Sequence, residues 1–237
     1  MRESHRNLSS NLRVGALGDG AFLVFGVPPC VAYCQGGHDE RQVEMVYAEG
    51  ALRAYLDNHS GLIPVHCLDV GAAENAEAPK LRHVWRTRHV AWSAIDVKEM
   101  PQSDVYDEVM QCLISDMPWG HFDFILCVST FEHCEQVGDN FHSALRALRG
   151  SLSDAGIIVL TVPVGFSTDF AGWHQFGVSE FRKMAEEAKL QIVNERLFRW
   201  DGRWWRNAAE DEVKGALYAT TNNARYAAAV GAWTLCR

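Results

Sequence analysis

A chain of 237 residues with 48% hydrophobic and 22% charged residues has the size and composition of one soluble globular domain. Its net charge of −8 disfavours duplex nucleic acid as a partner, because duplex-binding proteins carry a basic face. No apolar run reaches membrane-spanning length; the longest, Ile157–Val164, suits a buried strand. The polar N-terminal stretch lacks the apolar core of a signal peptide, and most of the seven cysteines (Cys67, Cys112, Cys127 and Cys236 among them) lie in strand-like runs. Reduced, buried thiols and a cytoplasmic location are expected. Cys30, Cys34 and His38 have loose metal-like spacing but no second ligand pair, so no metal is expected.

Residues 12–34 read as two short strands, LRVGAL and AFLVFGV, about the turn signal Gly18-Asp19-Gly20, with Pro28-Pro29 ending the second. Val43, Val46, Tyr47, Gly50, Ala51, Ala54 and Tyr55 then share one helical face, which Asn58-His59-Ser60-Gly61 terminates. The first buried strand is Val65–Val70. A long loop, Gly71–Ala78, follows it, with Pro79 in the first turn of the next helix. Strands are predicted at Val90–Val97, Val109–Leu113, Phe122–Val128 and Gly156–Val162, with a helix marked by Phe141, Ala144, Leu145 and Leu148. Apolar strands alternating with helices imply a parallel sheet covered on both faces. A helix bearing Phe181, Met184, Ala185 and Ala188 is predicted behind a Ser179 N-cap. Strands Gln191–Phe198 and Tyr226–Cys236 follow as an antiparallel closing pair. The insert between them, Trp200–Asn223, carries Arg203, Trp204, Trp205 and Arg206.

In an open parallel sheet, ligands bind beyond the carboxyl ends of the strands. The first strand ends in Asp69 and Gly71: a tight turn lets backbone approach a ligand, and a carboxylate there suits a cationic, amino-acid-like cofactor. The second presents Asp96, 25 residues after Gly71, suited to two ribose hydroxyls. The third presents Asp116, able to accept from an exocyclic amine. The fourth presents Ser129, Thr130, Glu132 and His133. Any one such aspartate is more often a turn former or helix cap, but four polar strand ends in consecutive units are harder to dismiss. A dinucleotide fits less well, because positions 71, 73 and 76 read Gly, Ala, Ala where G-x-G-x-x-G is needed.

The series CLDVGAAEN, AIDV, SDMPW, FDFILCVSTFEH and LRGSLSDAGIIVLTVPVG resembles the ordered motifs of class I S-adenosylmethionine-dependent methyltransferases over about residues 40–200. DERQVEM, Asp39–Met45, resembles the helix entry of a subgroup with an N-terminal β-hairpin. The resemblance implies an α/β, Rossmann-like doubly wound sheet of seven strands in the order 3-2-1-4-5-7-6. The last strand is antiparallel, and a small N-terminal hairpin and helix precede the sheet. It implies one domain over 1–237: hairpin and helix in 1–60, cofactor-binding core in 61–199, insert and closing strand in 200–237.

The implied cofactor is S-adenosyl-L-methionine. Asp69, Gly71 and Ala73 would line its methionine and ribose side, Asp96 with Val97 the ribose, Asp116 with Met117 the adenine. Ser129 and Thr130 would lie under the sulfonium, and Glu132 and His133 at the pocket mouth. Family members usually have glycines where this chain has Ala73 and Asn75, which leaves a degenerate, cofactor-binding but non-catalytic subunit as an alternative. An enzyme using another nucleotide cofactor is a second one. The implied reaction is methyl transfer to oxygen or nitrogen of a small-molecule acceptor. His133 and His174 are candidate bases, and Glu132 and Asp169 are orienting carboxylates. Phe166, Trp173, Trp204, Trp205, Arg203 and Arg206 read either as a lid for the acceptor or as packing at the sheet edge.

Overall fold

The computed structural model describes residues 13–17, 20–24, 39–59, 64–100, 103–118, 120–170, 172–218 and 227–237. The turn at Gly18-Asp19, the Cys30, Cys34 and His38 set, the helix stop at Ser60-Gly61 and residues 219–226 lie outside them. Strands β1 (Arg13–Leu17) and β2 (Gly20–Val24) pair antiparallel as the expected hairpin. The chain then runs through α1 (Arg41–Asn58), β3 (Val65–Val70), the single turns α2 (Ala72–Asn75) and α3 (Arg82–Trp85), β4 (Val90–Asp96), β5 (Glu108–Gln111) and β6 (Phe122–Val128). After two 3-10 turns, Phe131–His133 and Glu135–Val137, come α4 (Phe141–Gly150), β7 (Leu152–Pro163), β8 (Thr168–Phe170) and β9 (Trp173–Gln175). The chain ends with α5 (Val178–Glu187), β10 (Gln191–Trp200), β11 (Trp205–Asn207), α6 (Glu210–Val213) and β12 (Ala229–Cys236).

The main sheet has the order β11-β10-β12-β7-β6-β3-β4-β5. Strands β3 to β7 are mutually parallel, and β12 is antiparallel to both β7 and β10. This is the expected seven-strand order with an antiparallel last strand, extended at one edge by β11, an eighth strand that the sequence did not announce. β11 forms because the insert folds back on β10: Trp205 is fully buried and packs on Trp200, so it serves the sheet edge and not a lid. Arg206 pairs with Glu212 on the same insert, and Arg203 covers the Trp204 ring. Among the described residues no helix is long and apolar enough to cross a membrane.

Central strands are buried on both faces, and successive residues enter opposite cores. Ile125 and Cys127 join the core that also holds Leu145, Phe181 and Trp233; Phe124, Leu126 and Val128 join the one that holds Val43, Tyr47, Leu52 and Trp92. Two local expectations shift. The loop after Gly71 coils into α2, and α5 is capped at Gly177 and not Ser179, with Glu180 Oε2 accepting from the Gly177 N–H at 2.9 Å. Val178 already belongs to the core, so the helix starts before the polar signal. At the other edge β5 is short and largely exposed, which is why its apolar pattern is weak.

Helix α1 docks through more than its apolar stripe. Glu44 is wholly buried; its Oε1 accepts from Ser129 Oγ at 2.6 Å and Thr161 Oγ1 at 2.9 Å, and its Oε2 lies 3.4 Å from Arg41 Nη1. Tyr47 Oη hydrogen-bonds Thr234 Oγ1 at 2.9 Å. The helix is therefore bound to β7, to β12 and to the end of β6. Removing one member of a buried charged network leaves the others uncompensated, at a cost of about 3–5 kcal/mol. Glu44→Ala should lower urea-unfolding stability by about that amount. Glu44→Gln, which keeps one acceptor, should cost less. A loss below about 1 kcal/mol for Glu44→Ala would show that the network does not hold the helix.

Candidate functional site

Chain order leaves β3 outward to β4 and β5 and returns to β6 on its other side, so a crevice opens at the carboxyl ends of β3 and β6. Gly71 ends β3 with φ +82°, and a Cβ there would collide with the Thr130 side chain. Thr130 Oγ1 in turn donates to the Val70 carbonyl at 3.1 Å, closing β6 onto β3. Ser129 has φ +42°, a conformation few non-glycine residues adopt. Three hydrogen bonds hold it there: its N–H to Thr161 O at 3.2 Å and to Thr161 Oγ1 at 3.1 Å, and its hydroxyl to Glu44. Such strain costs about 1–3 kcal/mol and persists where its surroundings over-determine it.

A cavity of about 580 Å³ lies over these strand ends. Of the residues singled out from sequence, Gly71, Asp96, Val97, Ser129, Thr130, Glu132 and His133 line it. Asp96 Oδ2 accepts from the Ala73 N–H at 2.9 Å and Oδ1 from the Lys98 N–H at 2.8 Å. Its carboxylate is thus aimed by backbone, and each oxygen keeps accepting capacity.

The structure does not bring the other candidates to the cavity wall. Asp69 is buried behind the loop, where Oδ2 accepts from the N–H groups of Glu77 (2.9 Å) and Ala78 (2.8 Å) and from Tyr106 Oη (2.6 Å). Burial raises its pKa to about 6, against the lowering effect of those three donors. It shapes the loop from inside. Ala73 contributes its N–H to Asp96 from within α2, and neither it nor Asn75 has a positive φ, so neither position requires glycine. Asp116 is exposed on a turn, and Met117 is buried in the core. Where Asp116 was expected, Asp139 lines the cavity, accepting from the N–H groups of Ser115 at 3.1 Å and Asn140 at 2.7 Å.

His174 is on β9, where neighbours face opposite sides: Trp173 reaches the cavity, and the histidine ring packs on Phe141 and Phe176. Its Nδ1 lies 2.6 Å from Asp169 Oδ1 and its Nε2 3.3 Å from Glu180 Oε1.

The wall also holds residues that sequence reasoning missed: Glu40 and Arg41 at the start of α1, Gln136 and Asp139 after β6, and Tyr218 beyond α6. Arg41 Nη1 donates to the Val128 carbonyl at 3.0 Å and lies 3.4 Å from Glu44 and 3.5 Å from Glu77. Around this one half-buried guanidinium stand Glu40, Glu44, Glu77 and Glu132. Burial, then repulsion by Glu44, pushes the Glu132 and Glu40 carboxyls each up to about 8. The Glu44 carboxyl is also raised by burial, against the pull of Arg41. His133 Nδ1 lies 3.2 Å from the Gly172 carbonyl and 3.2 Å from Gln136 Oε1. Two acceptors there assign the ring proton to Nδ1 and leave Nε2 as the accepting nitrogen. The signal that would have found Glu40 and Arg41 is the charged DERQVEM segment, read earlier only as a helix entry.

No protein-family model matches the sequence, and no curated protein matches it. Solved structures do match. The 1,6-didemethyltoxoflavin-N1-methyltransferase of Burkholderia thailandensis, with 1,6-didemethyltoxoflavin and S-adenosylhomocysteine bound, aligns at a TM-score of 0.55 and 15% identity, covering 81% of this chain and 77% of that one. A protein of Bacillus halodurans C-125, whose methyltransferase assignment is itself an inference, aligns at 0.52 and 13% identity, covering 78% of this chain and 97% of that one. At such identities the likeness bears on the fold. The fold is the Rossmann-like one of class I S-adenosylmethionine-dependent methyltransferases.

Proposed function

We propose that this chain is a methyltransferase that uses S-adenosyl-L-methionine and acts on a small molecule. One observation carries the reading: Gly71, Asp96 and Ser129-Thr130, from the ends of three adjacent parallel strands, line a single cavity. The residues fit the cofactor. Gly71 leaves backbone where a side chain would stand, and Asp96 is a fixed carboxylate suited to a vicinal diol. Asp139, with Cys112 and Ile114, would border the adenine in place of Asp116 and Met117. Asp69 and Ala73 would act indirectly, through the loop that they hold. The cofactor, when bound, supplies a methyl group already activated on a sulfonium.

The chain's own residues then bind, orient and remove a proton. His133 Nε2 and the Glu132 carboxyl are the proton acceptors on the wall, the latter raised toward neutral pH, where a general base works well. His174 receives no such role, since both its nitrogens face carboxylates away from the cavity. The degenerate alternative rested on lost glycines, and α2 needs none at Ala73 or Asn75. The reading extends to one domain over 1–237, with a cytoplasmic location. The −8 net charge supports a small molecule over nucleic acid as the partner.

Two expectations follow from this assignment. Asp96→Ala should weaken S-adenosylhomocysteine binding by more than about 1 kcal/mol in calorimetric titration, since hydrogen bonds to charged groups are worth about 1.5–3 kcal/mol. Unchanged affinity would remove Asp96 from the site.

The second concerns pH. Native Glu40 and Glu132 hold protons that an unfolded chain releases near its ordinary carboxyl value of 4.5, so the native state binds more protons between about 4.5 and 8. Stability of the ligand-free protein should therefore fall as pH rises through that window, and Glu132→Gln should flatten the fall. Urea midpoints at pH 5, 6, 7 and 8 measure this; stability that rises over the interval would contradict the burial of these carboxyls.

A further inference from the structure

The cavity wall contributed by the start of α1, the turn after β6 and the residues Trp173 and Tyr218 has a chemistry of its own. Glu132 is 5% exposed and lines the cavity, and its Oε2 has no hydrogen-bond partner; the same holds for Oε2 of Glu40 on the facing helix. Arg41 attracts both carboxyls but makes no hydrogen bond to either, because its guanidinium is engaged by the Val128 carbonyl, Glu44 and Glu77. Buried carboxyl oxygens without hydrogen-bond partners are costly, and on a cavity wall a ligand is in place to complete them.

Two aromatic rings share this wall. Trp173 stacks on Phe170 with centroids 4.2 Å apart and planes 9° apart, and the Tyr218 ring stands 4.0 Å from Trp173 at 51°.

Each ligand class meets this surface differently. An anion would face two carboxyls beside a guanidinium already engaged by Glu44 and Glu77. A neutral hydroxyl compound would satisfy at most one orphaned oxygen. An organic cation would pair with the carboxylates and lie against electron-rich ring faces, the combination that recognises ammonium groups. We propose that the acceptor is a small amine, taken up as its ammonium ion against Glu132, Glu40, Trp173 and Tyr218, and that Glu132 accepts its proton. Uptake of the cation displaces to solvent the proton that Glu132 carries in the ligand-free protein; the N–H bond then breaks, an O–H bond forms on the resulting Glu132 carboxylate, and the lone pair stays on nitrogen, now a nucleophile. The raised proton affinity of Glu132 suits this step.

The proposal rests on the methyltransferase reading, and one experiment separates the two. S-adenosylhomocysteine is titrated first. Benzylamine, benzyl alcohol and benzoate, equal in ring and near-equal in size but of different charge, are then titrated onto the protein with and without it. Benzylamine should bind at least tenfold tighter than either of the others. In Glu132→Gln, and separately in Glu40→Gln, its preference over benzyl alcohol should fall below threefold; a melting curve establishes that each variant is folded, and either folded variant suffices. Equal affinities, no binding of benzylamine, tighter binding of benzoate, or an undiminished preference in both variants would each overturn the proposal. Absence of S-adenosylhomocysteine binding counts instead against the cofactor reading, and the probe series on the protein alone still decides the charge preference.

Discussion

The carboxylate of Glu44 ties helix α1, strand β7 and the end of β6 to a single point. It belongs to α1, yet its oxygen accepts from hydroxyls at the end of β6 and within β7, 85 and 117 residues away in sequence. A carboxylate so completely buried is tolerable only with such donors and with Arg41 beside it. Because Ser129 is one of those donors, the contact also fixes its left-handed backbone, and with it the place of Thr130 against Gly71. Because Glu40 and Arg41 precede it by one helical turn, it sets the wall of the cavity that faces the strand ends. Sheet, helix and cavity therefore share one constraint.

A second pair of carboxylates, Asp69 and Asp96, shapes the loop between the first two parallel strands. Asp69 gathers the N–H groups of Glu77 and Ala78 from inside, and Asp96 takes that of Ala73 from the cavity side. Between them they wind Ala72–Asn75 into a helical turn. Backbone that is helical has no use for glycine, which is how the chain departs, at 73 and 75, from the usual residues of the family it resembles without strain. Only Gly71, with φ +82° and Thr130 packed where its side chain would be, needs to be glycine in this loop.

The fold was legible because its signals are local: apolar strands ending in a small or acidic residue, repeated in order. The same locality made Gly71, Asp96, Ser129, Thr130, Glu132 and His133 readable as cavity residues. What escaped depended on distant contacts. Glu40, Arg41 and Glu44 acquire their meaning from strands more than 80 residues on, and one helix start looks much like another in sequence. Asp116 and Asp139 are both turn carboxylates, and only the way the chain folds over the sheet decides which reaches the cavity. His174 and Trp173 are neighbours, and strand alternation sends just one of them inward. Trp205 could be read either as a lid or as edge packing because its strand, three residues long, is too short to show a period.

The most direct measurement is a crystal structure with S-adenosylhomocysteine bound. Its ribose is expected at Asp96, its adenine toward Ile114 and Asp139, and its sulfur over Ser129 and Thr130, with the glutamates of α1 and of the turn after β6 left to a separate volume beside it. A ligand seated elsewhere, or one whose ribose makes no contact with Asp96, would contradict the assignment of this cavity.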